Sequence, residues 1–276
     1  MPPFLGPLAL ADGPGVLVAG AHAETTVAMM RIATPAMFDG RNISCPPRAS
    51  ARWHSSTVVR FFEVSHRITA GMKTYPGLPE PTVDVIIDYA SSRERYGGKA
   101  EFLIASLHLC GNTGTYVDSP HHRYPTGLDL AEIPLERVAH LPVTVIDATS
   151  AGRAIGPDVF RGKTLTSNAV LVRTDFARHW GTEAYFSEHP FLTAHAVDIL
   201  VEARPAFVGI DSLNIDDTGD LSRPAHTKLL GAGIPVCEHM TGLEAVPRIG
   251  GRLHAVPIAW VGGATFPVRA YVIAEE

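Results

Sequence analysis

Asn112-Thr113-Gly114-Thr115-Tyr116-Val117-Asp118-Ser119-Pro120-His121-His122 is the densest run of chemistry in the chain. It follows residues 102–109, an apolar, strand-forming stretch, so it lies at the end of a strand. A Gly-Thr turn, an acid, a Ser-Pro step and two histidines make a rigid polar corner there. Two readings stand on spacing alone. Polar corners at strand ends carry function. Equally, Asp118 and Ser119 have the side chains that fold back onto their own backbone in a plain loop.

Outward from this corner the text is strand-rich. Residues 58–64, 82–89, 143–146, 169–172, 206–210, 234–237, 256–260 and 268–273 are short apolar, β-branched runs. Helices are fewer. Residues 193–203 predict one, with Thr193 as its cap and Ala194, Val197, Leu200 and Val201 as an apolar stripe. Ser222-Arg223-Pro224 opens a second, short helix that Gly231 stops. Many strands with separated helices predict a mixed α/β domain, and no repeat of 20–50 residues is present.

The chain has 276 residues, 46% hydrophobic and 18% charged, with net charge −5. That supports a sizeable core and gives no basic patch, so nucleic acid and anionic membrane are not expected partners. Cys45, Cys110 and Cys237 are an odd count without metal-type spacing, which predicts a reducing, cytoplasmic setting and no disulfide framework. Residues 1–56 read as a poorly ordered, dispensable extension ahead of one domain over 57–276. The apolar run 4–23 lacks the basic start of a signal peptide and is broken by Asp12, Pro14 and glycines. No segment reaches the roughly 20 apolar residues of a membrane span. Residues 156–164 resemble a phosphate loop but have five residues between the glycines where four are required. Neither G-x-S-x-G nor a strand-linked G-x-G-x-x-G occurs.

The corner resembles the H-x-G-T-H-x-D-x-P-x-H motif of the cyclase-like family, the group of kynurenine formamidase and isatin hydrolase. Gly114, Thr115, Asp118, Pro120 and His122 stand at matching places, while Asn112 and Tyr116 replace two histidines. Further ordered matches run from about residue 61 to the end: 62–65 with 71–77, 208–212, and Pro267-Val268-Arg269. The resemblance implies a β-rich single domain of swivelling β/β/α type that forms a homodimer or homotetramer. It also implies a metal-dependent hydrolase acting on an amide, cyclic amide, lactone or related ester through a metal-activated water.

Family members place a ligating histidine in a short helix and a ligating glutamate twelve residues on, a spacing kept by His226 and Glu238. The resemblance therefore implies a metal set of Asp118, His226 and Glu238. Asn112 survives only as a carbonyl ligand at the depleted first position, so one divalent ion, manganese or zinc, is expected. His122 matches the family's proton-transfer residue. His121 is expected to point away. Tyr116 is a second catalytic candidate, which would suit a lyase or cyclisation enzyme on the same scaffold. A metal-free binding protein is the remaining alternative. Arg223, Asn214 and Tyr75 are candidates for holding a small-molecule substrate, with specificity set by loops 75–79 and 91–99. His239 and Asp211 are expected to be supporting residues. His108 is four residues before Asn112, about 13 Å along an extended strand, too far to share an ion with it.

Overall fold

The computed structural model describes residues 58–275. The extension 1–56 and its boundary with the domain lie outside the described residues. In chain order the strands and helices are β1 (Val59–Glu63), β2 (Thr82–Ile87), α1 (Tyr89–Arg95), β3 (Ile104–His108), β4 (Tyr116–Asp118), β5 (Leu141–Asp147) and β6 (Ala154–Ile155). There follow β7 (Ala169–Arg173), β8 (Phe191–Leu192), α2 (Ala194–Ala203), β9 (Phe207–Ile210), α3 (Pro224–Gly231), β10 (Val236–Glu238), β11 (Ile249–His254), β12 (Thr265–Pro267) and β13 (Tyr271–Glu275).

Nine strands form one mixed sheet in the order β1-β13-β11-β5-β7-β9-β10-β4-β12. Its centre, β5-β7-β9-β10, is parallel, and the flanking pairs are antiparallel. The parallel strands are apolar on both sides because both faces are covered. Side chains alternate between two cores. Ala169, Leu171 and Phe207 join Val117, Cys237, Leu253 and Val272 on one face. Val170, Val172, Val208 and Ile210 join α2 and α3 on the other, through Val197, Leu200, Ala225 and Leu229.

Both expected helices form. The Thr193 hydroxyl accepts from the Ala196 amide to cap α2, and α3 runs from Pro224 to Gly231. The strand expected at 256–260 does not form. The strand lies earlier, at Ile249–His254, and its register shifts between Ile249 and Arg252. Gly250 has φ +88, and a Cβ on Gly251 would lie 2.6 Å from Val272 Cγ1. The glycine pair is thus a bulge pressed against β13. Pro257 lacks the amide that a ladder needs. The expected strand 82–89 ends early because Asp88 caps α1, accepting from the Ser91 amide at 2.7 Å. No helix among the described residues is long and apolar enough to cross a membrane.

Candidate metal centre and active site

The site lies beyond the carboxyl ends of β9 and β10, where ligands gather in sheets with parallel centres. Strand β4 pairs antiparallel with β10, setting Tyr116 opposite Glu238 and Asp118 opposite Val236. Tyr116 and Asp118 are two residues apart, so they share a face, the one bearing α3; Val117 points into the opposite core. Gly114, at φ +64, makes the left-handed turn that delivers Thr115 and Tyr116 into β4. The Thr115 hydroxyl donates to the His239 carbonyl and accepts from the His66 amide, pinning the corner to the segment after β10.

His226 is in the first turn of α3. Asp216, fully buried in the loop after β9, accepts from the Ala225 amide (2.6 Å), the His226 amide (3.1 Å) and His226 Nδ1 (2.7 Å). One carboxylate therefore caps the helix and orients the imidazole. Proline at the first helical position leaves these amides as the helix's free donors. With Nδ1–H given to Asp216, Nε2 faces Asp118 Oδ2 at 3.5 Å and Glu238 Oε1 at 3.6 Å.

Glu238 is 1% exposed. Its Oε1 accepts from the Ile215 amide (2.6 Å) and its Oε2 from the Tyr116 hydroxyl (2.6 Å), with Asn214 Nδ2 at 3.5 Å. Asp118 Oδ1 accepts from the Thr265 hydroxyl, whereas Asp118 Oδ2 is buried without a hydrogen-bond partner. Burial, reinforced by the Asp118 charge, pushes the Glu238 carboxyl up to about 7 against the pull of His226. Burial also penalises the Asp118 carboxylate, but His122, His226 and the Thr265 hydroxyl outweigh it and hold Asp118 below its usual range. For His226 burial disfavours the cation, yet Glu238, Asp118 and Asp216 raise it to about 10.

These residues fit a divalent cation. Three buried carboxylates around one imidazole leave negative charge in want of a positive partner. Donors that bind one ion at about 2.0–2.2 Å in a tetrahedron stand roughly 3.4 Å apart, close to the separations at His226 Nε2. Asp118 Oδ2 is an orphaned acceptor facing the same point. Asp118, His122 and His226 also offer one donor each within 4.8 Å of one another. His122 is thus a geometric candidate for ligation as well as for proton transfer. Its side chain is 34% exposed, and its Nδ1 is 3.0 Å from Thr265 Oγ1 and 3.7 Å from Asp118 Oδ1.

A cavity of about 220 Å³ opens over this group, lined by His122, Arg123, Asn214, Arg223, His226 and Glu238. Arg223 and Asn214 are therefore at the cavity and bonded to each other, Nη1 to Oδ1 at 3.2 Å. Tyr75 is not among the lining residues; it packs on Phe176, Tyr185 and Leu213, where its ring finds apolar cover. Tyr116 does not line the cavity either. It is 1% exposed, its hydroxyl is committed to Glu238, and burial, then the Glu238 and Asp118 charges, raise its pKa well above the phenol value. It is a fixed neutral donor, not a group placed to exchange protons with substrate. The Asn112 side chain is beside Tyr116, where it favours the phenolate slightly against the larger effects of burial and the two carboxylates. His108 is exposed on β3 beside Asp84 and Ser106. Asp211 accepts from the Thr174 and Asp175 amides, a backbone brace. His239 is buried against Trp180, Tyr185 and Tyr116, and burial lowers its pKa to about 3.

Arg123, Asp216 and Thr265 were not singled out from sequence. Arg123 follows His122 directly and was legible as a cation beside the motif. Asp216 and Thr265 act across 10 and 147 residues and carried no local signal.

The family model named Cyclase matches residues 62–217, more than half of the chain. The chain belongs to the cyclase family. It is 26% identical over 209 residues to the kynurenine formamidase of Salinibacter ruber, covering 75% of this chain and 94% of that one. Cyclase-family folds among solved structures agree. Isatin hydrolase A from Labrenzia aggregata superposes with TM-score 0.68 at 22% identity, covering 79% of this chain and 94% of that one. Isatin hydrolase A from Ralstonia solanacearum gives 0.68 at 23%, covering 79% and 92%. The α/β, β-rich single-domain fold expected from the sequence is the cyclase fold seen here.

Proposed function

We propose that the chain is a metal-dependent hydrolase that opens an amide, cyclic amide, lactone or related ester bond of a small molecule. The observation that carries this reading is the buried group of Asp118, His226 and Glu238, of which His226 and Glu238 line the cavity, with Asp118 Oδ2 unpartnered and His226 Nε2 turned toward both carboxylates. The named activities of the relatives, a formamidase and isatin hydrolases, are carbonyl hydrolyses and support it.

A manganese or zinc ion held there would lower the pKa of a bound water and polarise a substrate carbonyl. The protein's own groups do the rest. Asp216 fixes the His226 ring, and Tyr116 and the Ile215 amide fix Glu238. His122 moves protons between the cavity and the leaving group. Arg223, Asn214 and Arg123 present donors at the cavity wall to substrate oxygens. One ion per chain is the expected stoichiometry, because Asn112 and Tyr116 stand where histidine ligands would, and the Tyr116 hydroxyl is committed to Glu238. The lyase or cyclase alternative needs Tyr116 at the substrate, and its burial weighs against that. The unpartnered Asp118 oxygen weighs against a metal-free binder.

The test is a screen of N-formyl anilines, cyclic imides and small lactones with manganese- or zinc-loaded protein, read by mass spectrometry. A product that has gained one water supports hydrolysis. Elimination or ring closure without added water contradicts it.

Ion binding is expected to release protons. In the ion-free site His226 keeps its proton up to about pH 10 and Glu238 titrates near 7. Ligation needs neutral imidazole and ionised carboxylate. Affinity should therefore rise with pH between 6 and 8, by about tenfold per unit for each proton released. Calorimetry in buffers of different ionisation enthalpy measures that release, and a pH-independent affinity would contradict the donor set.

A further inference from the structure

Two arginines line the cavity over the buried carboxylates: Arg123, the residue after His122, and Arg223, at the entry to α3. They share one wall. Arg123 donates from Nε to Thr227 Oγ1 (3.1 Å) and from Nη2 to the carbonyl of Ser222 (3.2 Å), the residue before Arg223. Arg223 donates from Nη1 to Asn214 Oδ1, which the Asp216 amide also bonds. Asn214 Nδ2 in turn faces Glu238 Oε2 at 3.5 Å, which ties the guanidinium to the ion-binding group. A guanidinium carries five N–H donors in a fixed fork. These bonds leave most of both forks without an acceptor.

Neither arginine has an ion-pair partner among the described residues. The carboxylates nearby are engaged elsewhere. Asp216 is bonded to His226, and Asp217 is paired with Arg153. Asp220 feels the Arg223 charge, but its Oδ1 accepts from the Ser222 amide and hydroxyl. Glu238, the acid of the cavity lining, is held by the Ile215 amide and the Tyr116 hydroxyl. Arg223 also has a left-handed backbone, φ +47 and ψ +62, directly before Pro224. A residue with a Cβ is strained there. Glycine would sit freely at this position and place nothing at the cavity. Arginine accepts the strain and places a cation.

The charge balance points the same way. Asp118, Asp216 and Glu238 are the buried acids, and the divalent ion that the proposed function requires offsets two of them. Two arginines then leave an excess of positive charge at the cavity. We infer that the substrate is a small monocarboxylate, whose anionic group, separate from the bond that is cut, is clamped by Arg123 and Arg223. The inference rests on the hydrolase reading for the bond cut. Arginine forks match a planar carboxylate with paired hydrogen bonds. An amino-acid tail suits the wall less, because its ammonium would meet guanidinium and no free acid.

The experiment has a binding arm and a turnover arm, both on metal-loaded full chain. Calorimetric titration compares benzoate with benzamide in the wild type, Arg123→Gln and Arg223→Gln. Benzoate is expected to bind about tenfold tighter or more, and each substitution should remove about tenfold of that preference, the worth of a hydrogen bond to a charged group. Turnover compares para-formamidobenzoate with para-formamidobenzamide and para-formamidophenylalanine, whose carboxylate sits beside an ammonium. The ratio of kcat/KM should favour the benzoate over both by about tenfold to 100-fold and collapse toward unity in the double variant. Equal binding of benzoate and benzamide would overturn the inference. So would a preference that survives both substitutions, or a preference for the amino acid. Should a variant misfold, salt decides on the wild type: the benzoate preference should shrink several-fold from about 0.05 to 0.5 M sodium chloride, and a salt-independent preference contradicts the clamp. Hydrolysis of acid and amide at equal rates sinks the clamp and leaves the hydrolase. No turnover of any probe, with the benzoate preference intact, sinks the hydrolase reading and leaves the carboxylate site.

Discussion

Replacing His122 by asparagine is expected to cut turnover by about 10²–10⁴, the usual worth of a positioned acid–base group. The hydrogen-bond order at the site explains why. The Thr265 hydroxyl has one proton, and gives it to Asp118 Oδ1. Toward His122 Nδ1, 3.0 Å away, it can then only accept. The neutral imidazole therefore carries its proton on Nδ1 and leaves the Nε2 lone pair to take a proton at the cavity. Asparagine can still donate to Thr265 but has no ring nitrogen with a lone pair to take a proton at the cavity. The wild-type and variant rates on any substrate found by the screen give the ratio directly. A loss smaller than about tenfold would remove His122 from the proton path.

Asp216→Ala is expected to cost about 3–5 kcal/mol of stability, in the range found when one partner of a buried charged pair is removed. Three buried donors lose their acceptor at once: the Ala225 amide, the His226 amide and His226 Nδ1. The first turn of α3 and the ring that it presents then have no common anchor. Ion affinity should fall by about 10–100-fold, as it does when the partner of a ligating histidine is lost. Urea unfolding measures the first effect and equilibrium dialysis the second. Asp216→Asn, which keeps one acceptor oxygen, should fall between wild type and alanine in both. Unchanged affinity in the alanine variant would mean that His226 is not oriented through Asp216.

Much of the fold was legible where local chemistry and tertiary structure agree. Thr193 caps α2, Pro224 and Gly231 bound α3, and the apolar runs at 143–146, 169–172 and 206–210 became the parallel centre of the sheet. The pattern misled where a long-range contact sets the rule. The strand at Ile249–His254 was passed over, because its Gly250-Gly251 pair is explained only by Val272 on β13. The run 256–260 looked like a strand because apolar residues are also found exposed, as Val256, Ile258 and Trp260 are here. Within the site, spacing alone left the corner at 112–122 open between function and plain loop. Resemblance to the cyclase family raised Asp118, His226 and Glu238, and the fold brings them together with His122. Tyr75 could be placed by motif but not by packing, since its aromatic neighbours lie a hundred residues away. Asp216 and Thr265 needed the fold to be seen, because a carboxylate or hydroxyl in a loop has no meaning until its partner arrives.

The assignment of ion to Asp118, His226 and Glu238, with His122 as proton carrier, turns on the metal content of two variants beside the wild type. Glu238→Gln preserves volume and, through its one carbonyl oxygen, the bond from the Ile215 amide; its NH2 cannot accept from the Tyr116 hydroxyl, and the ligand's charge is removed. His122→Asn preserves the bond to Thr265. Elemental analysis after dialysis without chelator is predicted to find one manganese or zinc per chain in the wild type and close to one in His122→Asn. In Glu238→Gln it should find the ion largely lost. An ion retained by Glu238→Gln and lost from His122→Asn would contradict the account and move the centre to Asp118, His122 and His226.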